Sequence, residues 1–131
     1  MAGPASLPHD IPPAIRVLAM PAETNASGDI FGGWLMSQVD IAGSIVAFRE
    51  ADGRIVTKAV NDFVFLSPVF VGDLVSIFAR TEKIGNTSIT VAVEAYAERH
   101  RGIDECHRVA TARLTYVALD EQRRPRPVRK A

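Results

Sequence analysis

Asn25-Ala26-Ser27-Gly28-Asp29-Ile30-Phe31-Gly32-Gly33-Trp34-Leu35-Met36-Ser37-Gln38-Val39-Asp40-Ile41-Ala42-Gly43 joins a turn to a helix, and the fold follows from how that helix is housed. Asn25, Ser27, Gly28 and Asp29 are turn and N-cap residues. From Trp34 to Phe48 the chain has no proline and is mostly apolar, so a helix starts near Gly32. Leu35, Val39 and Val46 fall on one side of it and Trp34, Ile41, Ile45 and Phe48 on others, which predicts a helix enclosed nearly all round. Asp40 is conspicuous there, because an ionised carboxylate loses hydration worth several kcal/mol unless something pairs with it.

The glycines at the helix start have two physical uses. Without side chains at Gly32 and Gly33, a ligand can approach backbone N–H groups that lack intrahelical partners and lie at the positive end of the dipole, as in an oxyanion hole. The alternative is close packing of the helix on a sheet. For Asp29 the alternative to a site role is an ordinary N-cap, for Asn25 an Asx turn, and for Asp40 a carboxylate tied to a backbone or serine donor.

Outward from the helix, the chain reads as strands. Ile15 to Met20 is a short first strand ended by Pro21. Asp52-Gly53 ends the helix, and Ile55 to Leu66 is a long β-branched and aromatic run closed by Ser67-Pro68. Val71-Gly72-Asp73 turns into Leu74 to Glu82, Gly85-Asn86 turns again, and Ser88 to Glu98 alternates cleanly with Ile89, Val91, Val93, Ala95 and Ala97 on one face. A polar loop leads to a last strand from about Arg108 to Leu119. The short connections predict an antiparallel meander, and the whole an α+β fold: a curled sheet of five strands around one helix of roughly 18 residues. One helix covers one face, so the apolar residues left over predict an obligate homo-oligomer.

The 131 residues fit one domain, read as an arm over residues 1–13, a folded body over 14–121 and a basic, disordered tail over 122–131. Residues 1–122 hold all 15 acidic and 10 of the 15 basic side chains, so the body carries −5 and the tail +5. An acidic body without interleaved aromatics argues against a nucleic-acid partner, and no apolar run approaches a membrane span. The arm has four prolines and no signal-peptide pattern, so the expectation is a cytoplasmic protein. His9, His100 and His107 show no zinc spacing, Cys106 is the single cysteine, and no serine has a histidine partner; a metal, thiol or serine-triad site is not expected.

Asp40, the Asn25/Asp29 turn and the Gly32-Gly33 donors remain. Asp29 and Asp40 lie eleven residues apart, roughly 16 Å if helical throughout, so one chain does not bring both to one substrate. Two antiparallel helices in a dimer would, giving two composite sites.

Arg16-Val17-Leu18-Ala19-Met20-Pro21, Thr24-Asn25-Ala26, Gly28 through Gln38 with Asp40 following, Phe65-Leu66-Ser67-Pro68-Val69, Val71-Gly72-Asp73, Gly85-Asn86-Thr87-Ser88-Ile89 and Tyr116-Val117-Ala118 together resemble the YciA-type acyl-CoA thioesterases of the hotdog fold, over about Arg16 to Asp120. The resemblance implies a hotdog domain assembling as dimers and as a trimer of dimers, with acyl-CoA as substrate. It implies that Asp40 is the acidic catalytic residue, acting on water as general base or on the thioester as nucleophile. Asp29 falls where related tandem-domain thioesterases carry an asparagine, which implies substrate positioning. Gly33, with Gly32, would donate N–H groups to the thioester oxygen. Asn86, Thr87 and Ser88 would meet the nucleotide end of coenzyme A, against the alternative of a plain hairpin turn. Trp34 would line the acyl channel or pack in the core. No metal or redox cofactor is implied, coenzyme A being part of the substrate. A hotdog hydratase would carry a histidine among residues 21–50, and there is none. A non-catalytic acyl-CoA binder or sensor is the rival function.

Overall fold

The computed structural model describes residues 5–103 and 105–129. In chain order the elements are β1 (Ile15–Leu18), α1 (Gly32–Ala51), β2 (Ile55–Phe65), β3 (Leu74–Ile84), β4 (Ser88–Glu98) and β5 (Cys106–Ala118), with 3-10 turns at Pro21–Glu23 and Arg99–Gly102. All strand pairs are antiparallel and form one curled sheet in the order β1-β3-β4-β5-β2, packed on the single long helix. The α+β, hotdog-type architecture is the one the sequence predicts.

The strand order corrects the meander. Only β3, β4 and β5 are joined as hairpins; β2 pairs with β5 and lies at the edge opposite β1. The eight residues between β2 and β3 are too many for a tight hairpin, and they pass over the helix start. Val69 O there accepts the Ile30 N–H at 3.0 Å, and Gly72 N–H reaches Ala19 O at 2.8 Å. Asp73, 2% exposed, holds this crossing: its Oδ2 accepts the Phe70 N–H at 2.9 Å and its Oδ1 lies 3.3 Å from Arg99 Nε. Arg99 also covers the Phe70 ring at 4.7 Å and donates to Pro68 O at 3.1 Å.

On α1 the buried residues Leu35, Val39, Ala42, Gly43, Ala47 and Ala51 recur every three or four positions, with Ala42 and Gly43 adjacent, and form one stripe. That stripe packs on the sheet, whose core includes Val75, Ile77, Ile89, Val91, Leu114 and Tyr116. Full burial of one such aliphatic side chain stabilises by about 1.5–3 kcal/mol. The other side of the helix is bare, which corrects the expectation of enclosure all round: Met36, Ile41 and Phe48 are 37%, 47% and 54% exposed. A single sheet covers only one side of a helix. Val56, Val60 and Val64 on the edge strand β2 are exposed as well.

Both ends of the described chain make hydrogen bonds to the body; residues 1–4 of the arm and 130–131 of the tail lie outside the described residues. Ala5 N–H reaches Cys106 O at 2.8 Å, and Asp10 takes two bonds from Arg80 at 2.6 and 2.8 Å. At the other end Arg126 N–H donates to Ala118 O at 2.9 Å and Val128 N–H to Asn86 O at 2.8 Å, with the Val128 side chain buried in the core. The Arg126 guanidinium donates to Leu119 O, Pro127 O and, at 2.7 Å, Ala51 O in the last turn of α1. Basic residues suit a helix C-terminus, where carbonyls lack intrahelical partners. Lys130 lies outside the described residues. Among the described residues, no helix is long and apolar enough to cross a membrane.

Candidate functional site

The approach to α1 is a closed turn organised by Asn25. Its Oδ1 accepts the N–H groups of Ser27 at 2.9 Å and Asp29 at 3.2 Å, and its own N–H donates to Asp29 O at 2.7 Å. Gly28 takes φ +87° there, a backbone region that favours glycine. Asn25 therefore makes an Asx turn. Asp29 does not cap the helix: the N-cap is Phe31, with no side-chain capping bond. The first helical N–H groups taken up are those of Trp34 and Leu35, both on Phe31 O at 3.1 and 3.3 Å. Gly32 and Gly33 precede them, and among the described residues nothing accepts their N–H groups.

Beside this helix start lies a cavity of about 280 Å³ lined by Ile30, Gly32, Leu35, Phe65, Ser67 and Val69, among others. A Cβ on Gly32 would meet the Phe65 ring at 3.3 Å, and one on Gly33 the Phe31 ring at 3.2 Å. Close packing and access to the backbone are thus served by the same two glycines. Trp34 is half-buried and packs against the core.

Asp40 lies mid-helix, half-buried, over the sheet. Its Oδ1 accepts two hydroxyl bonds, from Thr57 Oγ1 at 2.8 Å and from Tyr116 Oη at 3.0 Å. Tyr116 Oη also lies 3.0 Å from the Asp40 backbone carbonyl. The two hydroxyls come from directly opposed residues, since Thr57 on β2 is the register partner of Tyr116 on β5. Among the described residues nothing donates to Oδ2. Burial, then the charge of Asp40 and the bond to it, push the Tyr116 phenol far above its ordinary range. The phenol is a fixed donor.

One turn further along α1, Gly43 makes this arrangement possible. A Cβ there would overlap the Tyr116 hydroxyl and come within 3.2 Å of Cζ.

Asn86 and Thr87 lie in the β3–β4 turn and Ser88 opens β4. Asn86 O accepts the Val128 N–H and Thr87 O the Ala118 N–H, at 2.8 and 2.9 Å. Ser88 and Ile89 pair with Val117 and Tyr116, so the turn lies just beyond the strand level that carries the Asp40 donors. One chain thus brings Asn25, Asp29, Gly32, Gly33 and Trp34 together at the helix start and Asp40, Thr57 and Tyr116 over the sheet. It does not join the two groups: seven helical steps, about 10 Å at ~1.5 Å each, separate Gly33 from Asp40.

Thr57 was not singled out by sequence reasoning, and Tyr116 only as part of a motif. Their pairing depends on the β2–β5 register, which no local pattern reveals. Gly43, three residues past Asp40 on the same helix, was the one local sign that something bulky approaches there. Cys106 is half-buried, and burial followed by the nearby Glu98 pushes its thiol up, away from the thiolate. Among the described residues no group of three or more His, Cys, Asp or Glu side chains could hold a metal ion.

The sequence profile of the Thioesterase superfamily matches residues 27–103. The chain is 48% identical over 116 residues to the acyl-CoA thioester hydrolase YciA of Salmonella typhimurium, covering 87% of each chain. Among solved structures it resembles the hexameric thioesterase y2039 from Yersinia pestis, with a TM-score of 0.87 and 47% identity over 95% of this chain and 100% of that one. It also resembles the acyl-CoA hydrolase from Staphylococcus aureus solved with butyryl coenzyme A, coenzyme A and coenzyme A disulfide: TM-score 0.80, 28% identity, 86% of this chain and 68% of that one. That hydrolase has been solved with an asparagine and with an aspartate replaced by alanine, at positions fifteen apart, the spacing that separates Asn25 from Asp40 here.

Proposed function

This chain belongs to the thioesterase superfamily, and from that premise we propose that it is a cytoplasmic acyl-CoA thioester hydrolase, releasing a free acid and coenzyme A from a site shared between two subunits. Asp40 is its catalytic carboxylate. The observation that carries this reading is the asymmetric bonding of Asp40: Thr57 and Tyr116 fix Oδ1, and Oδ2 is left to react.

The acyl-CoA lies between paired subunits, covering the bare face of α1. Its thioester oxygen sits against the N–H groups of Gly33 and Gly32 at the start of one helix, where the dipole and the missing side chains favour developing negative charge. Asp40 comes from the other subunit, which answers the separation within one chain. Water attacks the thioester carbon while a proton passes from water to Oδ2; the carbon–sulfur bond breaks, and the proton passes from Oδ2 to the sulfur. No metal or further cofactor enters. Asn25 positions the attacked group, as the fifteen-residue spacing to Asp40 suggests, and Asp29 holds the turn that presents it. Asn86, Thr87 and Ser88 contact the nucleotide end of coenzyme A, Trp34 borders the acyl chain, and dimers assemble as a trimer of dimers. Nucleic acid and membranes have no part in this reading.

The test is thiol release from short, medium and long acyl-CoAs by the parent and by Asp40→Ala. A positioned general base contributes about 10²- to 10⁴-fold, so the variant should fold, assemble and turn over slower by at least that range's lower end. A parent that binds acyl-CoA and releases no thiol would leave the non-catalytic binder as the function. Single-turnover hydrolysis in oxygen-18 water checks the route: label in the enzyme carboxylate would mean that Oδ2 attacks carbon directly.

A further inference from the structure

A tyrosine hydroxyl has one proton, and Tyr116 Oη faces two acceptors at the same 3.0 Å, Asp40 Oδ1 and the Asp40 carbonyl. The ring cannot drift from either. Tyr116 is 0% exposed, is locked in register between Thr57 on β2 and Ile89 on β4, and lies against the gap left by Gly43. Rotation of the O–H alone therefore selects the acceptor.

We propose that Tyr116 is a positioning residue for Asp40, an inference resting on the hydrolase reading above: its proton goes to Oδ1 while Asp40 is a carboxylate and turns to the Asp40 carbonyl when Oδ2 has taken a proton. The ionised acid accepts two hydroxyl bonds on Oδ1. The neutral acid, a weaker acceptor, keeps the Thr57 bond and releases the other to a carbonyl of nearly fixed position. The side chain stays in place through both states, and the reaction's proton is confined to Oδ2. The Tyr116 proton itself never leaves its oxygen.

Other charges do not compete for this role. On α1, Arg49 is exposed and Glu50 lies 3.9 Å from Arg129. From the strands, Arg80 pairs with Asp10, Arg113 with Glu82 and Asp62, Arg108 with Glu94, and Glu98 with Arg16, while Lys58 and Lys83 are exposed. Among the described residues Tyr116 is the one titratable side chain bonded to Asp40.

Tyr116→Phe keeps the ring and removes the switch. With aspartate carboxyls labelled with carbon-13 and Asp40→Asn used to assign the signal, the midpoint read from the Asp40 signal should be higher in Tyr116→Phe than in the parent, since a bond to the charged form has been lost. The acid limb of the kcat/KM profile should rise with it. A tyrosine that only fills the core would leave both midpoints where they are, and that result overturns the proposal. Should Tyr116→Phe fail to fold, 3-fluorotyrosine incorporated into a Tyr96→Phe background modifies Tyr116 alone, because the chain has two tyrosines. The more acidic phenol donates more strongly and should lower the midpoint; an unmoved midpoint again overturns the proposal. The titration requires no turnover. A parent that releases no thiol therefore overturns the hydrolase reading, while the midpoint still decides the role of Tyr116.

Discussion

Replacing Arg126 by alanine should destabilise the protein by about 2–3 kcal/mol, although Arg126 lies in a stretch that reads as a solvated basic tail. Its guanidinium gives three bonds to backbone carbonyls, those of Ala51, Leu119 and Pro127, at 2.7, 3.1 and 3.0 Å. A hydrogen bond from a charged donor contributes about 1.5–3 kcal/mol net, but the Pro127 bond is exposed and local, so the other two carry most of the effect. The positive charge at the C-terminus of α1 adds about 0.5 kcal/mol. In a chain of this size the melting temperature should fall by roughly 10 °C. Urea unfolding at fixed protein concentration is the assay, because any assembly of subunits would couple to folding. Arg126→Lys should recover only the charge contribution. A loss under about 0.5 kcal/mol with an unchanged slope, the usual outcome for a free surface residue, would refute the idea that residues 119–128 are a strap.

Gly43→Ala should destabilise by about 1–3 kcal/mol through overlap with the Tyr116 hydroxyl, and Tyr116→Phe should relieve it, so a double-mutant cycle should show clear non-additivity. Arg99→Ala leaves the Asp73 carboxylate buried without its cation, a loss of about 3 kcal/mol near neutral pH. Burial raises the Asp73 carboxyl, so its contribution to stability is fully present below the unfolded value of 3.8 and declines as pH rises; acid melts should show the Arg99→Ala defect shrinking as pH falls. Asp10 runs the other way: the Arg80 bond lowers its carboxyl from 3.8 to about 2, so the pair's stabilisation is present above 3.8 and lost as pH falls toward 2. Asp10→Asn should remove that segment of the pH–stability curve and leave the rest unchanged.

Local chemistry made most elements legible. The turn residues before Gly32, the absence of proline to Phe48 and the Asp52-Gly53 stop locate α1, and Asp52 takes the left-handed φ of 51° expected of a C-terminal cap. The alternation from Ser88 to Glu98 marks β4 over the same residues in the structure. What failed was nonlocal. β2 resembles the first strand of a meander in composition, and only the route of residues 66–73 over the helix start sends it to β5. The tail looks unstructured because its prolines and arginines have no period, yet Arg126 finds carbonyls and Val128 a core position that other segments create. Asp40 stood out as a charge in an apolar helix; its partners lie 17 and 76 positions away.

The strand order also has a temporal consequence. β2 leaves the ribosome well before β5, the strand it pairs with, and until Cys106–Ala118 has emerged both edges of β2 are open, with Val56, Val60 and Val64 alternating along it. Such a segment is a template for pairing with other nascent chains. The sheet cannot close until β5 has been made, and the residues that follow it, those that staple Ala51 and Asn86, lock it. The aggregation hazard is therefore concentrated in the interval between synthesis of β2 and synthesis of β5, a pairing across a long stretch of chain that forms late.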